Sequence, residues 1–382
     1  MPHSPVRPPN AKLPHLRPPD FGEPAPLFTA ETDNVPNYNF GVVGGHWVVL
    51  LFFGSLSLAA SHRAHDAVLA HRALFDDRQA LFFGVSVDIA DRTERKLTNE
   101  AVGVRYFWDF DQAVSRLYGL TDGANLQPAI FLIDPALRIV AAEGIDQAEA
   151  VLAQLQEHLG RAADLAPPPF APVLSLPRVF EPSFCAELIE HFGRVGGTIS
   201  GFAQDVDGRT VNMVNAQLKR RSDVFITDEG LMAEIRERLE RRLMPMVKRA
   251  FGWQAKHIER YLISAYTAED SGFFSAHRDD TTAGTAHRKF AVTINLDATS
   301  YDGGDLVFLE FGRRTYRPPT GGATVFGCNL LHEVTPVTRG VRYAFLPFLY
   351  DDEGARLRKA NQSRVGAPAG NRHARRSGGK RF

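Results

Sequence analysis

The chain has 382 residues, with 44 Lys or Arg against 44 Asp or Glu, so its formal net charge is zero. A single core seldom grows past roughly 250–300 residues, which predicts two domains, and the neutral balance argues against nucleic acid or a membrane surface as partner. Only two cysteines occur, Cys185 and Cys328; that is no disulfide framework, and it suits a reducing, cytoplasmic setting.

Residues 1–20, MPHSPVRPPNAKLPHLRPPD, are rich in proline and lack the apolar run of a secretory signal. They are expected to be disordered, because proline removes backbone donors. HWVVLLFFG (46–54) is a continuous run of β-branched and aromatic residues, the pattern of a strand buried on both faces. The longer stretch WVVLLFFGSLSLAA (47–60) is too short to cross a bilayer. Residues 56–75 show helical spacing, with Ala60, Ala64, Ala67, Val68 and Leu74 near one stripe. His62, His65 and His71 on that helix have no carboxylate in view and are expected at the surface. ALFFGVSVD (80–88) reads as a second strand and residues 90–101 as a helix capped by Asp91. AIFLID (129–134) and RIVAAEG (138–144) read as a hairpin, closed by a helix at 147–159.

GGHWVVLLFFGSLSLAAS (44–61) and QPAIFLIDPALRIV (127–140) resemble the thioredoxin-like fold, in particular its peroxiredoxin branch. The resemblance implies an α/β domain over residues 21–160. It also implies a cis bond at Pro128, and a reactive cysteine opening the helix after the first long strand. Ser61 or a neighbouring serine stands there instead. No cysteine precedes Cys185, and a serine hydroxyl neither ionises near neutral pH nor oxidises to a sulfenic acid. This half is therefore expected to be redox-dead: a scaffold, a substrate-binding module, or a platform for a homodimer.

Residues 161–172 are Pro- and Ala-rich and read as a linker. A second domain is expected over 173–352. CAELIEHF (185–192) is a short amphipathic helix, and 231–251 a long one whose Leu231, Ile235, Leu239 and Leu243 recur every four residues. Thr227 or Asp228 can cap its start, and Pro245 is expected to kink its end. After 257 the helical period gives way to short strands between Gly, Pro and Asp turns, which predicts an all-β jelly roll. Residues 353–382 are expected to be a disordered basic tail, with nine Lys or Arg and no acid from 355 onward; such tails are usually solvated, and no nucleic-acid partner is expected.

The chemistry centres on HRDD (277–280). His277 and Asp279 are two residues apart, so on an extended chain they point the same way. His332 follows in GCNLLHEVTPV, and a jelly roll can bring a late strand beside an early one. Two imidazoles and one carboxylate form the facial triad of non-heme Fe(II) sites, which leaves coordination positions open. Arg342, ten residues later, has apolar neighbours on both sides. A buried cation there needs an anion, and a cosubstrate carboxylate would supply one through two parallel hydrogen bonds.

HxD, about fifty residues, His, then ten residues to Arg resembles the 2-oxoglutarate- and Fe(II)-dependent dioxygenases of the prolyl-4-hydroxylase-like branch. YDGGDLVF (301–308), HEVTPVTRGVRYAF (332–345) and KRRSDVFI (219–226) extend the likeness over roughly 173–350. The resemblance implies Fe(II) at His277, Asp279 and His332, and 2-oxoglutarate held by Arg342 with help from Tyr266. It also implies O2 as cosubstrate, L-ascorbate as a helper, and hydroxylation of a substrate as 2-oxoglutarate becomes succinate. No catalytic side chain beyond the metal centre is implied. Asp279 supplies the carboxylate that halogenases lack. The substrate stays open between a prolyl residue, a free amino acid and another small molecule. His287 and Arg288 are either at a substrate mouth or solvated, Asn295 is a sheet residue or faces the cavity, and Cys328 is a core thiol. Two rival readings are a non-catalytic metal-binding or sensor protein and a thiol peroxidase; the missing cysteine speaks against the second.

Overall fold

The computed structural model describes residues 17–94, 97, 101–161, 170–206 and 208–366. They form two compact units that divide between Pro168 and Pro169.

The first unit is built on a five-stranded sheet in the order Val104–Trp108, Ala80–Ser86, Trp47–Gly54, Ala129–Ile133, Ile139–Gly144. The first three strands are parallel and the last two antiparallel. The central strand explains its own apolar run. Val49, Leu51 and Phe53 face one core with Ala64 and Val68 of the helix Ala59–Ala70 and Leu152 and Leu155 of the helix Ala148–Arg161. Val48, Leu50 and Phe52 face a second core with Phe40, Val114 and Tyr118. Alternate residues thus serve opposite faces, and neither face can be polar. This is the thioredoxin-like arrangement.

Several local expectations are corrected. The strand Val104–Trp108 lies between the expected helix and hairpin. The helix expected over 90–101 runs only from Ile89 to Thr93, and of its remainder Arg95, Lys96 and 98–100 lie outside the described residues. Its cap is Asp88, which accepts from the Ala90 amide, while Asp91 is buried. Ala60 is exposed. His65 is buried with its Nε2 2.8 Å from the Tyr106 hydroxyl, because it faces the sheet rather than solvent. His62 meets Asp66 at 2.8 Å and His71 lies 3.6 Å from Glu149, so both do have carboxylates nearby. Among the described residues no cis peptide bond occurs, so Pro128 is trans.

The second unit holds a nine-stranded and a five-stranded sheet. Leu262–Thr267 lies within the larger, flanked by Val341–Phe345 and Ser222–Phe225. The smaller runs Lys219–Arg220, Phe273–His277, His332–Val334, Leu306–Val307, Thr315–Tyr316. Tyr266, Ala291 and Phe348 of the first sheet pack with Leu306, Val334 and Cys328 between the sheets, which is the interior of a jelly roll. Helices cover the outer face of the larger sheet: Phe184, Leu188, Leu231, Ile235, Leu239, Leu243 and Val247 share a core with Ile263, Ile294 and Phe345. Asp228 caps the long helix by accepting from the Leu231 amide. A π-helical turn, Leu239–Leu243, precedes Pro245, where the missing proline amide frees a carbonyl one turn back.

Two boundaries shift. Ala171, expected in the linker, is buried, and its amide donates to the Tyr316 hydroxyl at 2.9 Å; residues 162–169 lie outside the described residues. At the other end the helix Asp352–Ala360 occupies the start of the expected tail, capped by Asp351, while 367–382 lie outside the described residues.

Candidate metal centre

His277 ends its strand directly opposite His332 in the antiparallel ladder of the smaller sheet. Asp279 follows two residues on, fixed by its own amide, which donates to the Cys328 carbonyl at 2.8 Å. Its Oδ1 lies 3.7 Å from His277 Nε2 and its Oδ2 3.5 Å from His332 Nε2. One ligand atom from each of the three falls within 4.8 Å of the others.

The backbone sets the tautomers. His277 Nδ1 is 2.8 Å from the Ser275 carbonyl oxygen and His332 Nδ1 is 3.0 Å from that of Leu330. A carbonyl can only accept, so each Nδ1 carries the proton and each Nε2 keeps its lone pair for a metal. Burial, then the neighbouring His332, pushes the His277 imidazole down to about 3, so it is neutral at pH 7. Burial raises the Asp279 carboxyl, but His332, His277, Arg288 and Arg260 outweigh it and hold the group ionised. Phe274 stacks on the His277 ring at 3.6 Å and dries one wall. The donor set and protonation suit a divalent metal bound on one face.

Arg342 stands directly opposite Tyr266. It is 2% exposed, and its Nε and Nη1 are buried without a partner. A cation left so is costly unless a ligand completes it. Gly304 makes room for it, since a Cβ there would press within 3.1 Å of Arg342 Cδ. The Tyr266 hydroxyl accepts from Arg221 Nη1 at 3.3 Å.

Motif spacing does not single out Arg221 and Asp223, a buried ion pair at 2.7 Å, or Lys219, buried with its Nζ donating to Ser200 Oγ at 2.7 Å. An R-x-D spacing at the entry to the strand Ser222–Phe225 is the signal that could have found the pair. His287 is buried and Arg288 nearly so, and both line a cavity of about 700 Å³ together with Glu259, Thr210 and Tyr350. Both bind Glu259, at 2.8 Å each, and Arg288 also donates to the Asp279 carbonyl at 3.3 Å. Asn295 donates to Tyr301 Oη and the Pro318 carbonyl, each at 2.9 Å, which is a structural role. Cys328 is a buried thiol.

Comparison with known proteins adds family. A model described as "2OG-Fe(II) oxygenase superfamily" matches residues 261–350, and one described as "AhpC/TSA family" matches 21–142. The PKHD-type hydroxylase YbiX of Escherichia coli O6:K15:H31 (strain 536 / UPEC) is 31% identical over 178 residues, 44% of this chain and 74% of that protein. A PKHD-type hydroxylase of Synechococcus sp. (strain JA-2-3B'a(2-13)) is 37% identical over 95 residues, 23% of this chain and 42% of that protein. The chain thus spans less than half the length of the first curated relatives it matches. A solved prolyl hydroxylase from Trichoplax adhaerens, in complex with a hypoxia inducible factor oxygen degradation domain peptide fragment, is 14% identical with a TM-score of 0.39, covering 54% of this chain and 96% of that one.

Proposed function

This chain belongs to the 2OG-Fe(II) oxygenase superfamily, and we propose that it is an Fe(II)- and 2-oxoglutarate-dependent hydroxylase. The observation that carries this is Arg342. A buried guanidinium with two unpaired nitrogens, in the same jelly-roll interior as the His277–Asp279–His332 cluster, calls for the distal carboxylate of an anionic cosubstrate.

With iron and 2-oxoglutarate bound, the centre would supply O2 activation coupled to decarboxylation of the cosubstrate to succinate. His277, Asp279 and His332 would hold the metal. Arg342 orients the cosubstrate through its distal carboxylate, with the Tyr266 hydroxyl beside it. Arg221, locked by Asp223, fixes that hydroxyl. Phe274 and Phe308 exclude water from the two imidazoles, their rings 3.6 and 6.1 Å from His277 and His332.

A prolyl residue or a small molecule is the substrate, in keeping with the hydroxylase names of its relatives. Ascorbate serves as reductant after uncoupled turnover, and the protein works in the cytoplasm; among the described residues no helix is long and apolar enough to cross a membrane. The cysteine-less redoxin unit acts as a binding or dimerisation module. A purely metal-holding role would leave Arg342 unexplained.

The test is an anaerobic titration with Fe(II) and then 2-oxoglutarate. A visible charge-transfer band that needs both, and that Asp279→Ala lacks, is expected. Iron bound without any such band would refute the assignment.

A further inference from the structure

Charge around the metal cluster does not balance. Lys219, Arg221, Arg260, Arg288 and Arg342 gather near Asp279 and Tyr266, against Asp223, Glu259 and Asp279, while Asp280, next to Asp279, is offset by Arg278 and Lys289. Asp223 is spent on Arg221 and Glu259 on Arg288. Among the described residues Lys219 donates only to neutral oxygens, of Ser200 and Gly201, and burial followed by Arg221 holds its amine far below the ordinary lysine range. A divalent metal, Asp279, Arg342 and the two carboxylates of 2-oxoglutarate would sum to zero. One charge is left over, on Arg260.

Arg260 is unusual on three independent counts. Among the described residues no hydrogen bond or ion pair reaches it, and its Nε is buried without a partner. The adjacent Glu259 cannot serve it, because its two oxygens are taken by His287 and Arg288. The Arg260 backbone sits at φ +67°, one of six non-glycine residues among those described that lie on the left-handed side. Strain of this kind persists where the surroundings impose it and gathers at functional sites. The guanidinium carbon lies 4.2 Å over the Phe348 ring, which Arg288 also covers at 4.0 Å. Arg288 in turn is bonded to the Asp279 backbone, so Arg260 stands close to the metal cluster.

We propose that Arg260 is the recognition point for an oxyanion carried by the substrate. The inference rests on the hydroxylase reading above and names its substrate class: an anionic molecule whose charged group docks on Arg260 while the carbon to be oxidised faces the metal. Phe348 keeps the guanidinium flat and one face of it dry, which favours bidentate contact with a planar or tetrahedral oxyanion.

The experiment uses the full chain, anaerobic, with Fe(II) and saturating 2-oxoglutarate so that Arg342 is filled. Sulfate and acetate, each against chloride at constant ionic strength, are the probes, and thermal unfolding of the Fe(II)-responsive transition is the readout in wild type, Arg260→Gln and Arg260→Lys. An oxyanion should raise the wild-type midpoint by roughly 2–4 °C, leave Arg260→Gln unmoved, and act partly on Arg260→Lys. Whichever probe acts more strongly separates a planar from a tetrahedral group. Without oxyanion, Arg260→Gln should unfold no earlier than wild type, because an unpaired, largely desolvated cation is being removed. Three results overturn the proposal: an earlier transition in Arg260→Gln, which makes the residue structural; equal oxyanion shifts in both proteins; or weakened 2-oxoglutarate affinity in Arg260→Gln, which makes it a cosubstrate ligand. Absence of a charge-transfer band in wild type would sink the hydroxylase reading instead.

Discussion

Tyr266 and Arg342 face each other across one antiparallel ladder, with the guanidinium carbon 5.0 Å from the centre of the phenol ring. The tyrosine hydroxyl is held from the other side by Arg221, itself locked to Asp223. Arg342 is therefore aimed but unsatisfied, the state expected of a residue whose partner arrives from solution.

Arg342→Gln should weaken 2-oxoglutarate by about 30-fold or more, the cost of losing one member of a buried charged contact, and leave Fe(II) affinity intact. Arg342→Lys should recover little, because an ammonium cannot make the two parallel bonds. Cosubstrate dissociation constants from the charge-transfer band decide this. An unchanged constant in Arg342→Gln would remove the residue from the site.

Asp279→Ala and His332→Ala should each abolish Fe(II) binding. Loss of a ligand should exceed the roughly 10–100-fold typical of outer-shell partners. Metal analysis after anaerobic dialysis measures it. Stoichiometric iron in either variant would mean that the 4.8 Å cluster is not the metal site.

Glu259 gives the pH prediction. Burial raises its carboxyl, yet the hydrogen bonds from His287 and Arg288 outweigh burial and hold it well below the ordinary value of 4.5. A carboxyl depressed on folding adds stability that is fully present above its unfolded pKa and is lost as pH falls toward the folded one. Glu259→Gln should therefore destabilise the second unit by about 3 kcal/mol at pH 7, and the gap to wild type should narrow below pH 4.5. Urea midpoints at pH 7 and pH 4 test it; a gap that widens on acidification contradicts the sign.

How much of this is legible in the sequence follows from the range of each signal. His277, Asp279, His332 and Arg342 are readable because spacing along a strand and the chemistry of a triad are local or nearly so. The double-faced strand Trp47–Gly54 is readable because an unbroken apolar run of that length, rich in β-branched and aromatic residues, suits a strand covered on both sides. Val104–Trp108 escapes the reading because VRYFW carries an arginine that a period-2 pattern counts as polar. In the fold Arg105 reaches outward to Asp77 at 2.7 Å. His65, Arg260 and Arg288 escape it for a common reason. Each is a polar side chain whose burial is decided by a partner 29 to 41 residues away, or by none among the described residues, and composition cannot report that.

The first unit should consume no peroxide, and restoring a cysteine should not change that. Ser61 lies in the first turn of the helix Ala59–Ala70, 1% exposed, with its hydroxyl donating to the Phe53 carbonyl at 2.6 Å. A thiol in its place would meet a carbonyl oxygen, which opposes a thiolate, and burial would raise its pKa further. The nearby His65 imidazole offers no help, since burial holds it below its ordinary value and its Nε2 is engaged by Tyr106. The two native thiols do not substitute: burial, then Glu181, pushes Cys185 up to about 11, and Cys328 is raised well above the normal range. Ser61→Cys should thus fold, resist alkylation until unfolded, and turn over hydrogen peroxide no faster than wild type. Thiol titration in native and unfolded protein, run beside a peroxide assay, measures both. Rapid native alkylation with peroxide turnover would show that the helix opens at Ser61, and that only the side chain separates this unit from an active peroxidase.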